Sequence, residues 1–264
     1  MTEDWREMLR WKGYVVERCI GVGGFSKVYL IREGQTGREF AGKVSTQKEM
    51  LRKEYEILQK ISHPLFPRAY DFWEGIDTAI MKMEYVPGIP LDRLMYGTEK
   101  KCGQNGMNER RGLSGQAVLP LGIQLAEGLS YLQRLPSPIL YRDLKPENIM
   151  VQEDGSIKLL DFGCAIQYEQ QDCRQVGTPG FAAPEQLVGG AVDFSADVYG
   201  LGQTLKKVLK ETDYSKEAKR LRRILALCTR QEIEERPPDM DAALDLLRGQ
   251  STKNYPNWKK NIRR

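Results

Sequence analysis

Residues 139–163 read I-L-Y-R-D-L-K-P-E-N-I-M-V-Q-E-D-G-S-I-K-L-L-D-F-G. Two short clusters interrupt an apolar background. Arg142, Asp143, Lys145, Glu147 and Asn148 make up the first, and Asp161-Phe162-Gly163 is the second. Ile149, Met150 and Val151 follow the first cluster, while Ile157, Leu159 and Leu160 precede the second. With Asp154-Gly155 as the turn, the two apolar runs predict a short hairpin. Such a hairpin brings Asn148 and Asp161 to the same end, with Asp143 nearby. Two oxygen-bearing side chains suit magnesium, which takes one or two protein ligands and completes its shell with substrate phosphates.

Composition narrows the chemistry. The 264 residues suffice for one large domain or two lobes, and the apolar share of 41% is ordinary for a globular chain. The net charge of +4 is mild and acids balance bases along most of the chain, which argues against a nucleic-acid partner. Cys19, Cys102, Cys164, Cys173 and Cys228 are odd in number and form no C-x-x-C pair. That speaks for a reducing compartment and against a zinc site. His63 is the sole histidine, so a Ser-His-Asp or Cys-His hydrolase is disfavoured. The charged amino terminus lacks the apolar core of a signal peptide, and no run reaches the ~20 apolar residues of a membrane span.

The stretch Y-R-D-L-K-P-E-N followed by D-F-G resembles the catalytic loop and the Asp-Phe-Gly motif of eukaryotic-type (Hanks-type) serine/threonine protein kinases. Tyr141 stands where that family has histidine. The resemblance extends in family order from about Gly21 to Leu247. G-V-G-G-F-S-K-V, with Gly21, Gly23 and Ser26, resembles the glycine-rich loop, although serine replaces the third glycine. Ala41-Gly42-Lys43 resembles the strand whose lysine meets the α- and β-phosphates. Thr46 to Ile61 reads as a helix with Met50, Glu54, Leu58 and Ile61 on one face. An acid within an apolar stripe needs a partner, and Lys43 is the obvious one. By its distance from His63-Pro64, Glu54 matches the family's αC glutamate. M-E-Y-V-P-G, Met83 to Gly88, resembles the hinge between the two lobes.

The resemblance implies a role for each position. Asp143 would orient the acceptor hydroxyl and take its proton, and Lys145 would neutralise the γ-phosphate. Asn148 and Asp161 would hold magnesium. Gly21, Gly23 and Ser26 would cover the phosphates. Val28, Ala41 and Met150 would enclose adenine, with Met83 as gatekeeper and the Glu84 and Val86 backbone as its hydrogen-bonding edge. In G-T-P-G-F-A-A-P-E, Gly177 to Glu185, Thr178 would bond Asp143 or Lys145. Asp197 would anchor the catalytic-loop backbone, and Arg236 would pair with Glu185.

The expected fold is α+β and bilobal: a small antiparallel sheet with the αC helix over residues 1–86, then a mainly helical lobe over 87–250. ATP would lie between them. An amphipathic helix over Asp4–Trp11 would pack on the first lobe. The polar stretch Gly97 to Gly115 reads as a long surface loop. Two departures from the family stand out. Between Gly163 and Ala183 the only hydroxyl residues are Tyr168 and Thr178, so the usual phosphorylated serine or threonine is missing, and Glu169 or Asp172 is expected to meet Arg142 instead. After Val208 the chain is short and polar where the family carries helix αG, with the helical pattern resuming at Leu221. The basic tail, 251–264, has five lysines and arginines and no acid. It reads as solvated, with contact to an acidic membrane surface as the second reading.

The expected function is magnesium-dependent transfer of the ATP γ-phosphoryl group to serine or threonine on protein, with manganese as a substitute cation. A bacterial, cytoplasmic chain is expected, or the cytoplasmic part of a membrane-anchored one. The rival readings are a nucleotide-binding pseudokinase and a small-molecule kinase of the same fold.

Overall fold

The computed structural model describes residues 4–95, 112–170 and 174–250, and the chain divides into two units between Pro87 and Gly88. Among these residues no helix is long and apolar enough to cross a membrane. The tail and most of the predicted 97–115 loop lie outside them.

The first unit opens with α1 (Asp4–Trp11) and continues as β1 (Tyr14–Val22), β2 (Ser26–Glu33), β3 (Glu39–Ser45), α2 (Lys48–Gln59), β4 (Ala69–Glu74) and β5 (Ala79–Glu84). The strands form one antiparallel sheet in the order β1-β2-β3-β5-β4. Alternation of side chains gives the sheet two faces. Tyr29, Ile31, Phe40, Val44 and Ile80 form a cluster on one face, closed by Trp5 and Leu9 of α1. Lys82, on that face, is ringed by Tyr14, Phe40, Tyr70 and Trp73 and pairs with Asp71. The other face carries Lys43 and meets α2 through Glu54.

The buried stripe of α2 differs from the expected one. Leu51, Glu54, Ile57 and Leu58 are buried, Met50 is 38% exposed, and the helix ends before Ile61. Both stripes have helical spacing through Glu54. Packing on the sheet selects the one that begins at Leu51.

The second unit comprises β6 (Ile89–Pro90), α3 (Leu91–Leu94), α4 (Gly115–Gln133), β7 (Ile139–Leu140), β8 (Ile149–Val151), β9 (Ile157–Leu159), β10 (Ile166–Gln167), α5 (Pro184–Val188), α6 (Ser195–Val208), α7 (Lys216–Cys228) and α8 (Met240–Arg248). β8 and β9 pair antiparallel, as the hairpin reading requires, and β6 adds a third strand. Gly155 takes φ +81° at the turn, where its N–H donates to Gln152. A Cβ on Gly88 would stand 2.5 Å from the Val151 carbonyl oxygen, so only glycine lets the chain enter β6 this way.

α4 begins at Gly115, the residue at which the predicted surface loop was to end. Ser114 caps it, its hydroxyl accepting from the Ala117 N–H. The first turn packs so closely on α7 that a Cβ on Gly115 would lie 2.6 Å from the Ala218 nitrogen. No helix intervenes between α6 and α7, as expected, but α7 starts at Lys216 rather than Leu221, because Ser215 caps it. Arg222 fixes the intervening loop by donating to the carbonyls of Lys210, Glu211 and Asp213 at 2.6–2.9 Å.

Candidate active site

In the first unit the candidate residues converge on one sheet face. Gly21 is opposite Val28, Val28 opposite Lys43, and Ala41 opposite Met83. Val28, Ala41, Lys43 and Met83 therefore point the same way. The Lys43 ammonium sits 2.7 Å from both oxygens of Glu54, and both residues are buried. An ion pair this dry is costly to form, and deleting one member strands the other.

The glycine loop closes the β1–β2 hairpin, with the Gly23 N–H donating to the Ser26 carbonyl at 2.8 Å. Ser45 Oγ donates to the Phe25 carbonyl at 2.8 Å and ties the loop tip to β3. Neither Gly23 nor Gly24 has positive φ, and a Cβ there would meet nothing closer than 3.4 Å. The fold itself therefore tolerates side chains at both positions. Glycine there suits close approach of an outside group, such as phosphate, to backbone N–H groups. Glu84 donates its N–H to Arg68, and Val86 is buried just before the unit boundary.

In the second unit, Asp143, Lys145 and Thr178 form a closed ring of hydrogen bonds. Lys145 Nζ donates to Asp143 Oδ2 at 2.7 Å and to Thr178 Oγ1 at 2.8 Å. The Thr178 hydroxyl donates to Asp143 Oδ1 at 2.7 Å. Asn148 spends its Nδ2 on the Asp143 carbonyl and carboxylate, at 2.9 and 3.1 Å. Its Oδ1 is the atom a cation would use. The Leu160 N–H donates to the Asn148 carbonyl at 2.8 Å, which sets Asp161 at the Asn148 end of the hairpin. Asp161 is exposed and Met150 half-buried on β8.

Among the described residues no group of three or more His, Cys, Asp or Glu is placed to hold a metal. A carboxylate and a carboxamide oxygen fit a hard cation that draws its remaining ligands from phosphate and water.

Two residues here, Arg142 and Asp161, hold positive φ of 67° and 61°. Non-glycine residues occupy that region at a cost of about 1–3 kcal/mol and persist where the surroundings over-determine them. Arg142 is fixed on three sides. Its N–H donates to Asp197, its Nε to the Cys164 carbonyl, and its carbonyl accepts from Gln186 Nε2. Asp197 also accepts the Tyr141 N–H at 2.9 Å. Burial raises the Asp197 carboxyl above its ordinary range, against the lowering effect of these two N–H groups.

Tyr141 is fully buried, edge-on to Phe162 with centroids 5.2 Å apart, and donates to the Leu160 carbonyl. Burial, then Asp161 and Asp143, push its hydroxyl well above the usual phenol range, so it stays neutral.

Glu169 does not take up Arg142 as expected: it accepts from Ser137 Oγ at 3.0 Å. Asp172, the other candidate, lies outside the described residues. Gln186 and Ser45 escaped the sequence reading because a neutral side chain that bonds distant backbone leaves no local pattern.

A family model described as Protein kinase domain matches residues 14–257, leaving α1 before it. The chain is 33% identical to "Serine/threonine-protein kinase pkn2" of Myxococcus xanthus over 74% of its own length and 24% of that protein's. It is 31% identical to "Protein kinase 3" of Dictyostelium discoideum, covering 73% and 22%. It is 32% identical to "Maternal embryonic leucine zipper kinase" of Danio rerio, covering 75% and 29%. The chain thus spans less than a third of the length of these three relatives.

Proposed function

Because the chain belongs to the protein kinase domain family, we propose that it transfers the γ-phosphoryl group of ATP to serine or threonine hydroxyls on protein. The ring of Asp143, Lys145 and Thr178 carries this reading. In it a carboxylate able to accept a proton, a cation and a small hydroxyl are positioned together before any substrate arrives.

Asp143 orients the acceptor hydroxyl and takes its proton as the oxygen bonds to the γ-phosphorus and the bridge to the β-phosphate breaks. Lys145 offsets charge on the transferred group. Lys43, fixed by Glu54, binds the α- and β-phosphates, while the backbone of Gly21, Gly23 and Ser26 covers them. Val28, Ala41, Met83 and Met150 enclose adenine, and Glu84 and Val86 bind its edge. Asn148 and Asp161 hold magnesium, or manganese in its place, which when bound neutralises phosphate charge. Contact of the basic tail with acidic lipid belongs to the same proposal. Co-sedimentation with acidic liposomes that survives deletion of 251–264 would exclude it.

Radiolabelled ATP, magnesium and a generic protein acceptor test the reading, with Asp143→Ala as control. Label on serine and threonine, lost in the control, is expected. ATP binding without transfer, or transfer only to small molecules, overturns it.

A further inference from the structure

α2 carries a second row of contacts, away from the stripe that holds Glu54. Lys48, Arg52, Tyr55 and Gln59 recur at i, i+4, i+7 and i+11, which places them in one line roughly a third of a turn from the buried stripe. All four meet β4 or the turn that follows it. Lys48 Nζ lies 3.1 Å from Glu74 Oε1 and donates to the Gly75 and Ile76 carbonyls at 3.2 and 3.1 Å. Arg52 closes on the other oxygen of the same carboxylate, and its guanidinium lies 4.7 Å over the Phe72 ring. The Tyr55 ring stands 5.5 Å from Phe72. Gln59 Nε2 donates to the Ala69 carbonyl at 2.7 Å. The helix is thus fastened to the strand from its first turn to its last. Lys48, then Arg52, hold the Glu74 carboxyl below its ordinary range.

The stretch between Gly163 and Ala183 supplies the second observation. Its only hydroxyl residues are Tyr168 and Thr178. Thr178 is committed to Asp143 and Lys145, and Tyr168 stacks on Phe194 with centroids 4.7 Å apart. No other serine or threonine is available in that stretch to receive a phosphate that would order it.

We infer that Glu74 is a positioning residue: by clamping Lys48 and Arg52 it keeps α2 seated, so that Glu54 stays on Lys43 without a phosphorylated activation segment. The inference rests on the kinase reading above for its effect on turnover, but the clamp itself has a readout that does not.

The test compares the full chain with Glu74→Gln, Glu74→Lys, and Glu74→Lys combined with Lys48→Glu and Arg52→Glu. Steady-state transfer to a generic acceptor gives kcat and the KM for ATP, and amide hydrogen exchange over residues 48–59 reports the seating of α2. Glu74→Gln should lower kcat about fivefold, leave KM for ATP within about twofold, and speed exchange across α2. Glu74→Lys should do more, and the charge-reversed triple variant should regain much of both. Phosphatase treatment of the unaltered chain should leave kcat unchanged. Unaltered exchange over 48–59 in Glu74→Gln overturns the clamp whether or not the chain transfers phosphate. Normal kcat in Glu74→Gln, or a large loss after phosphatase treatment, overturns its role in turnover. An unaltered chain that binds ATP without transfer removes the kinase reading instead, and exchange then still decides the clamp.

Discussion

Arg236 and Glu185 meet through two parallel hydrogen bonds, of 2.6 and 2.9 Å, across 51 positions of sequence. The guanidinium is fully buried, donates further to the Arg230 and Gln231 carbonyls, and lies 5.0 Å over the Tyr199 ring. Arginine's planar fork satisfies all these partners at once, which an ammonium cannot do. The pair joins the start of α5 to the segment before α8, and α5 also holds Gln186 against the catalytic loop.

Arg236→Ala should therefore cost about 3–5 kcal/mol, because it leaves Glu185 and two carbonyls without their cation. Arg236→Lys should recover only part of this. Urea denaturation measures both, and an Arg236→Ala midpoint equal to that of the unaltered chain would contradict the assignment.

Asp143→Asn removes the proton acceptor while keeping a side chain of the same shape. Transfer should fall between about a hundredfold and ten-thousandfold, the usual span for a positioned general base. ATP affinity, measured by calorimetry, should change little, since the substitution touches the acceptor side.

Asp213 predicts a pH dependence. The Gly115 N–H, then the Ser215 N–H and hydroxyl, hold its carboxyl below the ordinary range. A depressed carboxyl contributes stability that is fully present above the unfolded value, about 3.9. That contribution is lost as pH falls through the lower folded value. Asp213→Asn should flatten this part of the acid limb in thermal unfolding scans from pH 6 to 2, taken as roughly spanning the window. An unchanged limb would show that the contact does not contribute.

Tyr141→Phe keeps the ring against Phe162 but strips the donor from the half-buried Leu160 carbonyl. It should cost about 1–3 kcal/mol of stability. Since Tyr141 is not the proton acceptor, kcat should stay within about threefold, the scale of an indirect effect. A much larger loss of kcat would give the hydroxyl a part in catalysis.

Much of this molecule was legible. The β8–β9 hairpin followed from two apolar runs and Asp154-Gly155, and the small antiparallel sheet from the family resemblance. The Lys43–Glu54 contact followed from a misplaced acid in an apolar stripe. What stayed hidden shares a physical cause. Met50 and Leu51 fit the helical period through Glu54 equally well, and only the sheet beneath decides between them. The starts of α4 and α7 are set by serine caps, which act through one hydrogen bond and leave the apolar pattern untouched. The row from Lys48 to Gln59 looks like a solvated face until β4 is placed beside it. Among polar residues, sequence shows which side chains need partners, and tertiary contact shows which partners they find.

The family match begins at residue 14, yet Trp5 and Leu9 of α1 are 3% and 0% exposed. A chain trimmed to the homology boundary would uncover Tyr29, Ile31 and Phe40 on the outer wall of the sheet. That wall is wide, apolar and aromatic, and bare walls of this kind stick to one another. The eight residues of α1, all of which precede the family match, are thus what keeps the first unit from becoming adhesive.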